Sequence, residues 1–281
     1  MENLTQAIRM WVADNPGRKF TPSFLDTEIG VYQSSDKNHR WKIVKKMIEE
    51  GLVEGHGHGY RVVMNGLTKI DWRSADESQI IDIKLPFDIH NLVNLMPKNI
   101  VAIGGEKEAG KTALLLNIVR MNMDKYNIHY YSSEMGALEF KTRLKSFEHH
   151  NIIPLSDWKF EAYERAFDFH DAVAKHPDDI HMIDFLEIHK DFYEVAGLIF
   201  HIWDKLGKGV AFIALQKNPG ASLPRGGTGA FEKARLGLLL DRNKITVEIG
   251  KNWKDPTVNP RGKAWTFQLV GGCKFCNILP A

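Results

Sequence analysis

Apolar positions fall at helical spacing near the start of the chain and in strand-like runs from residue 100 onward. Leu4, Ile8, Trp11 and Val12 lie three and four apart, which predicts an amphipathic helix over residues 3–14. Asn15-Pro16-Gly17 ends it. A short second helix fits residues 21–28, with Pro22 in its first turn. A third fits residues 36–50. Trp41, Val44, Met47 and Ile48 make its buried stripe, Ser35 or Asp36 caps it, and Gly51 closes it. Its outer face carries Lys37, Arg40, Lys42, Lys45 and Lys46. Two short strands around the turn Gly55-His56-Gly57-His58-Gly59 follow.

Residues 66–97 read as a connector: residues 71–82 are polar and charged, and Leu85-Pro86-Phe87 leads towards the next domain. The expected domains are 1–65 and 85–281, with a linker at 66–84. From Asn99 the pattern changes. Ile100-Val101-Ala102-Ile103 is an apolar run leading into glycines and a helical stretch. Comparable runs recur at 128–132, 180–185, 210–215 and 236–240, mostly separated by helical stretches. That alternation predicts an α/β domain, a mostly parallel sheet with helices on both faces.

Composition narrows the classes. The chain is 43% hydrophobic and 26% charged over 281 residues, which is globular. No run approaches the roughly 18–20 apolar residues of a membrane span. The N-terminal residues carry no basic stretch followed by an apolar one, so no secretory signal is expected. Two cysteines cannot build a disulfide framework, and the expected compartment is the reducing cytoplasm. Net charge is +2, unevenly spread. Residues 216–263 hold ten Lys/Arg against four Asp/Glu, and residues 30–48 five against one. Such segments point to a polyanion or to solvated faces.

The densest chemistry lies at Gly105-Glu106-Lys107-Glu108-Ala109-Gly110-Lys111-Thr112, a full match to G-x-x-x-x-G-K-[ST]. The glycines let the backbone curl so that its N–H groups, continuing to Ala113, face a phosphate chain. Lys111 supplies a cation for the β- and γ-phosphates, and the Thr112 hydroxyl a ligand for Mg²⁺. The helix that follows presents its positive end to the anion. An apolar strand before and a helix after are the context that a P-loop requires. The cofactors expected are therefore ATP and Mg²⁺.

The elements after the P-loop resemble, in order, those of the RecA/DnaB-type ATPases, including the RepA-like helicases. Tyr130-Tyr131-Ser132-Ser133-Glu134-Met135-Gly136 is similar to the family's Ser-Leu-Glu-Met strand end. The resemblance implies that Glu134 activates the attacking water. His181-Met182-Ile183-Asp184-Phe185 is similar to the Walker B strand, which implies that Asp184 holds Mg²⁺ with Thr112. Residues 210–216 resemble the strand ending in a polar sensor, here Gln216. The loop 217–228, with Lys217 and Arg225, then corresponds to one that lines a DNA channel. Residues 229–242 resemble the helix and strand that follow, with Arg235 where the family has an acidic residue. The strand end near 248–254 carries Lys251 and Lys254 in place of the usual Lys-x-Arg. These two and Arg261 are candidates for a finger reaching a neighbour's ATP. The resemblance covers residues 85–270 and implies a RecA-like P-loop core working as a homo-oligomer, a ring or filament such as a hexamer.

The first 65 residues resemble a winged helix-turn-helix domain, whose third helix enters the DNA major groove. That assigns Lys37, Arg40, Lys42, Lys45 and Lys46 to DNA, although many such domains dock proteins instead. Two functions follow as expectations. One is a DNA-acting helicase- or translocase-like ATPase of replication or recombination. The other is a nucleotide-controlled regulatory or scaffold subunit of a DNA-targeting or defence complex. A small-molecule kinase fits less well, because Glu134 and Gln216 stand where an ATPase needs them. Cys273-Lys274-Phe275-Cys276 is a lone CxxC and reads as a terminal turn. His149-His150 and His56-Gly57-His58 read as solvated histidines.

Overall fold

A computed structural model describes residues 2–64, 70–186 and 194–281. The chain divides into two compact units, 1–75 and 76–281. Among the described residues, no helix is long and apolar enough to cross a membrane.

The smaller unit runs α1 (Glu2–Asp14), β1 (Lys19–Phe20), α2 (Pro22–Glu28), α3 (Ser34–Glu49), β2 (Val53–His56) and β3 (Gly59–Val62). Its three strands pair antiparallel in the order β1-β3-β2. Ile8, Val12, Phe20, Leu25, Val44 and Met47 are among its core. Thr21 Oγ1 caps α2 by accepting the Phe24 N–H at 3.2 Å. Gly59 is required where β3 passes β1: a Cβ there would stand 2.4 Å from the Phe20 carbonyl oxygen.

Helix α3 corrects two expectations. Its inward stripe is Arg40, Ile43, Val44 and Met47, at i, i+3, i+4 and i+7. Trp41 is 51% exposed, and Ile48 also faces out. Arg40, assigned to DNA, is only 8% exposed. Its guanidinium donates to both carboxylate oxygens of Asp26, at 2.8 and 3.0 Å. A bidentate partner on α2 makes a buried arginine tolerable, and no helical periodicity reveals a partner 14 residues away. Helix α3 also begins earlier than expected, with no side-chain cap at Gln33.

The larger unit is a nine-stranded sheet. Its strands are β4 (Asn99–Gly105), β5 (Ile128–Ser132), β6 (Glu161–Glu164), β7 (Ile180–Asp184), β8 (Val210–Gln216), β9 (Ala234–Asp241), β10 (Lys244–Gly250), β11 (Ala264–Val270) and β12 (Lys274–Pro280). Their order is β12-β11-β10-β9-β4-β8-β7-β5-β6. From β9 to β6 all neighbours are parallel, and β9 to β12 form an antiparallel extension. The helices are α4 (Lys111–Asn122), α5 (Ala137–His149), α6 (Phe169–Val173) and α7 (Val195–Lys205).

Alternation along the central strands builds two cores. Val101, Ile103, Phe212 and Ala214 face α4 and α5, whereas Ile100, Ala102, Ala211 and Ile213 face α6 and α7. This double burial is why β4 and β8 read as unbroken apolar runs. The stretch read as a connector is largely structural. Ile83, Leu85, Phe87, Ile89, Val93 and Leu95 join the first core. Lys84 and the Asn122 side chain exchange a pair of 2.8 Å hydrogen bonds.

Candidate active site

The carboxyl ends of β4, β5, β7 and β8 converge where the strand order changes direction, the position at which open parallel sheets bind ligands. A cleft of about 530 Å³ opens there. Lys107, Glu108, Gly110, Lys111, Thr112 and Ala113 line it from the P-loop, and Glu134, Asp184, Gln216 and Arg225 from the strand ends and following loops.

The P-loop folds around its lysine. Lys111 Nζ donates to the carbonyl oxygens of Gly105 at 2.9 Å and Glu106 at 2.8 Å, and lies 3.4 Å from Gln216 Oε1. Burial holds its pKa below the ordinary lysine value, and the charges of Asp184 and Glu134 oppose that shift. Gly105 is dictated by this packing, because a Cβ there would come within 2.8 Å of Lys111 Cγ. Gly110 has φ of 99°, and its Cβ would meet Leu269 Cδ2 at 2.9 Å. Glu108 also takes a left-handed conformation, with φ of 63°.

Asp184 ends β7 in a buried position. Its Oδ2 accepts the Thr112 hydroxyl at 2.8 Å and the Tyr130 hydroxyl at 2.6 Å. Burial raises its pKa, and these two hydrogen bonds with the Lys111 charge oppose the rise. The same burial, with the adjoining carboxylate, pushes the Tyr130 phenol well up. The ends of β5 and β7 are tied together. Ser133 N–H donates to the Asp184 carbonyl at 3.0 Å, and Phe185 N–H to Ser133 Oγ at 3.2 Å. Ser132 Oγ accepts the Met135 N–H at 2.9 Å, which fixes the turn presenting Glu134 at the cleft.

This donor set fits a nucleoside triphosphate with a divalent cation. A buried ammonium is held by carbonyls rather than by a carboxylate, beside a helix N-terminus. A buried carboxylate and a threonine hydroxyl, already in contact, are hard oxygen ligands of the type Mg²⁺ takes.

The loop after β8 departs from expectation. Lys217 is only 3% exposed. Its ammonium lies 2.5 Å from Asp241 Oδ1 and 3.4 Å from Glu106 Oε1, and donates to the Ala221 carbonyl at 2.7 Å. Glu106 also accepts the Gly220 N–H at 3.0 Å, which holds its pKa below the usual glutamate value. Lys217 is therefore an internal tie between P-loop, loop and β9, not a cation offered to DNA. Arg225 turns towards the cleft and donates to Asn218 Oδ1 at 3.2 Å. Among the finger candidates, Lys254 reaches the His90 carbonyl at 3.4 Å and Arg261 pairs with Glu248 at 2.9 Å. Lys251 is exposed.

Sequence reasoning missed Arg143, Leu269 and Gly272, which also line the cleft. Arg143 lies on α5, whose buried positions are Phe140, Leu144 and Phe147. Nothing in that periodicity sets apart the arginine between them. Leu269 and Gly272 belong to the β11–β12 hairpin, docked on α4 through a 2.8 Å hydrogen bond from Asn117 Nδ2 to the Cys273 carbonyl.

No protein-family model matches the sequence, and no curated protein does. Solved structures do match. One is a KaiC-like protein from the hyperthermophilic archaeon Pyrococcus horikoshii OT3, with a TM-score of 0.51 at 14% identity, covering 72% of this chain and 98% of that one. At that identity the likeness is one of fold, an α/β architecture around a mostly parallel sheet.

Proposed function

We propose that the chain is a Mg²⁺-dependent ATPase whose nucleotide cycle acts on DNA. The observation that carries the reading is the Thr112–Asp184 hydrogen bond, made within one cleft that also holds Lys111 and Glu134. The backbone of 105–113 and Lys111 hold the triphosphate. Thr112 and Asp184 hold Mg²⁺, which supplies charge neutralisation for the phosphates. Glu134 orients the attacking water and accepts its proton. Gln216, in contact with Lys111, relays the state of the cleft to the loop 217–228 through its own backbone continuity. Arg143 and Arg225 add positive charge facing the phosphates. Lys251, Lys254 and Arg261 are the cations offered to the site of a neighbouring copy, in a ring or filament.

The DNA element is α3, within what we read as a winged helix-turn-helix unit. Lys37, Lys42, Lys45 and Lys46 are exposed. Trp41 lies outward among them, with Lys45 Nζ 5.4 Å from its ring centre. Cations interleaved with an aromatic suit a nucleic-acid backbone and base. ATP hydrolysis measured without DNA, with single strands and with duplex tests the reading. It predicts stimulation by one of them, and it fails if DNA neither binds at low salt nor changes the rate.

The buried Lys217 favours a second reading. With that cation withdrawn from the loop, the ATPase works as a nucleotide-controlled switch, and α3 docks it to a partner in a regulatory or defence complex. Slow turnover indifferent to DNA, with assembly that depends on ATP, distinguishes this reading.

A further inference from the structure

At the opposite end of the same strands lies a cluster with no part in nucleotide chemistry. His129 is the second residue of β5, Asp179 immediately precedes β7, and His176 lies in the turn before it. One ligand atom from each lies within 4.8 Å of the others, a grouping found once among the described residues. Asp179 Oδ2 shares a 2.8 Å hydrogen bond with His129 Nε2, the contact that a metal would replace, and lies 3.8 Å from His176 Nδ1. Two ligands on one zinc ion, with bonds of about 2 Å at a tetrahedral angle, stand roughly 3.3 Å apart. The two observed spacings bracket that value.

The turn is built and held. The Pro177 carbonyl accepts the Gly207 and Gly209 N–H groups at 2.8 and 3.0 Å, and Asp178 Oδ1 the Lys208 N–H at 2.7 Å. Asn127 Nδ2 donates to Asp179 Oδ1 at 3.4 Å, which turns Oδ2 towards the histidines. His129 is almost wholly buried, yet its Nδ1 has no hydrogen-bond partner. The Glu161 carboxylate on the neighbouring strand β6 stands 3.6 Å away. A cation on Nε2 would fix the tautomer with the proton on Nδ1, directed at Glu161. That is the carboxylate–histidine–metal arrangement of zinc sites.

We propose that His129, His176 and Asp179 bind a divalent transition metal of the zinc class, with Glu161 orienting His129. Imidazole with carboxylate selects Zn²⁺ over Mg²⁺. His176 is stacked on His129 at 4.2 Å between ring centres, and its side chain, nearly half exposed, has room to turn onto the ion. Water from the open side completes four ligands. The ion ties the amino end of β5 to the turn before β7, while Asp184 serves nucleotide at the carboxyl end of β7.

The test is titration of the untagged, full-length, chelator-treated chain with Zn²⁺ alone, and with Co²⁺ alone for its visible spectrum. The expected result is one ion per chain, a tetrahedral-type cobalt spectrum and a higher melting temperature with Zn²⁺. His176→Ala, which alters an exposed side chain, should weaken Zn²⁺ at least tenfold and remove the melting shift. Glu161→Gln should weaken it about tenfold. Circular dichroism of each variant without metal reports its fold. The absence of stoichiometric binding would overturn the proposal and leave a metal-free His–Asp cluster. So would binding that survives in both His176→Ala and Asp179→Asn, which would put the ion elsewhere, for example at Cys273 and His150.

Discussion

Thr112 donates a 2.8 Å hydrogen bond to Asp184 across 72 residues of sequence. It joins the first turn of α4 to the end of β7, and so brings together the two side-chain oxygens proposed above to hold Mg²⁺. The contact exists because β4, β8 and β7 are adjacent and parallel, with their carboxyl ends level.

Removing the lysine ammonium should cost nucleotide binding rather than the fold. Lys111→Ala deletes a charge-assisted contact of roughly 1.5–3 kcal/mol, about 10- to 100-fold in affinity. A fluorescent ATP analogue titrated against both proteins, with circular dichroism of each, checks this.

Asp184 gives a pH dependence with a definite sign. Burial raises its pKa in the folded chain above the unfolded value. The folded state therefore holds the proton more tightly, and this stability is present at low pH and lost as pH rises through the folded value. Without nucleotide, Asp184→Asn should melt higher than wild type at neutral pH, and the gap should close as pH falls towards the ordinary carboxylate range. The same variant should lose Mg²⁺-dependent stabilisation by ATP. Melting curves across pH with and without Mg²⁺·ATP give both readouts.

Lys217 distinguishes an internal tie from a DNA contact. Lys217→Ala leaves Glu106 and Asp241 without their shared cation. Both carboxylates are partly exposed, so a cost of about 1–3 kcal/mol is expected, below the figure for a fully buried pair. Urea unfolding measures it. An unchanged midpoint together with weaker DNA binding would return Lys217 to the DNA side.

If α3 faces DNA, replacing Lys42, Lys45 and Lys46 together with alanine should weaken binding without regard to sequence. The slope of log K against log salt should fall by about 2–3. Fluorescence anisotropy over a salt series checks this. Stability should barely move, since all three side chains are exposed.

Parts of this were legible in the sequence, for physical reasons. Strands buried on both faces announce themselves as apolar runs, so β4, β5, β7, β8 and β9 were found, and the P-loop is local in sequence. What depended on partners distant in the chain was not. Arg40 is buried because Asp26 meets it, and Lys217 because Asp241 and Glu106 do. Arg143 lines the cleft through the placement of α5. The exposed strand β6, with the sequence Glu-Ala-Tyr-Glu, has no apolar pattern to find. The stretch 81–95, read as part of a connector, alternates buried and exposed residues across the core surface, and the two-residue spacing of Ile81, Ile83, Leu85, Phe87 and Ile89 already carries that pattern in the sequence.

ATP hydrolysis by the residues of this cleft underlies the whole proposed function. Phosphate release at saturating ATP, measured for wild type and Glu134→Gln with and without Mg²⁺, tests it most directly. Mg²⁺-dependent turnover is expected in wild type, with a loss of about 10²–10⁴-fold in Glu134→Gln, which still binds ATP. Tight ATP binding by wild type with no turnover, alone or with DNA, or turnover unchanged in Glu134→Gln, would contradict it.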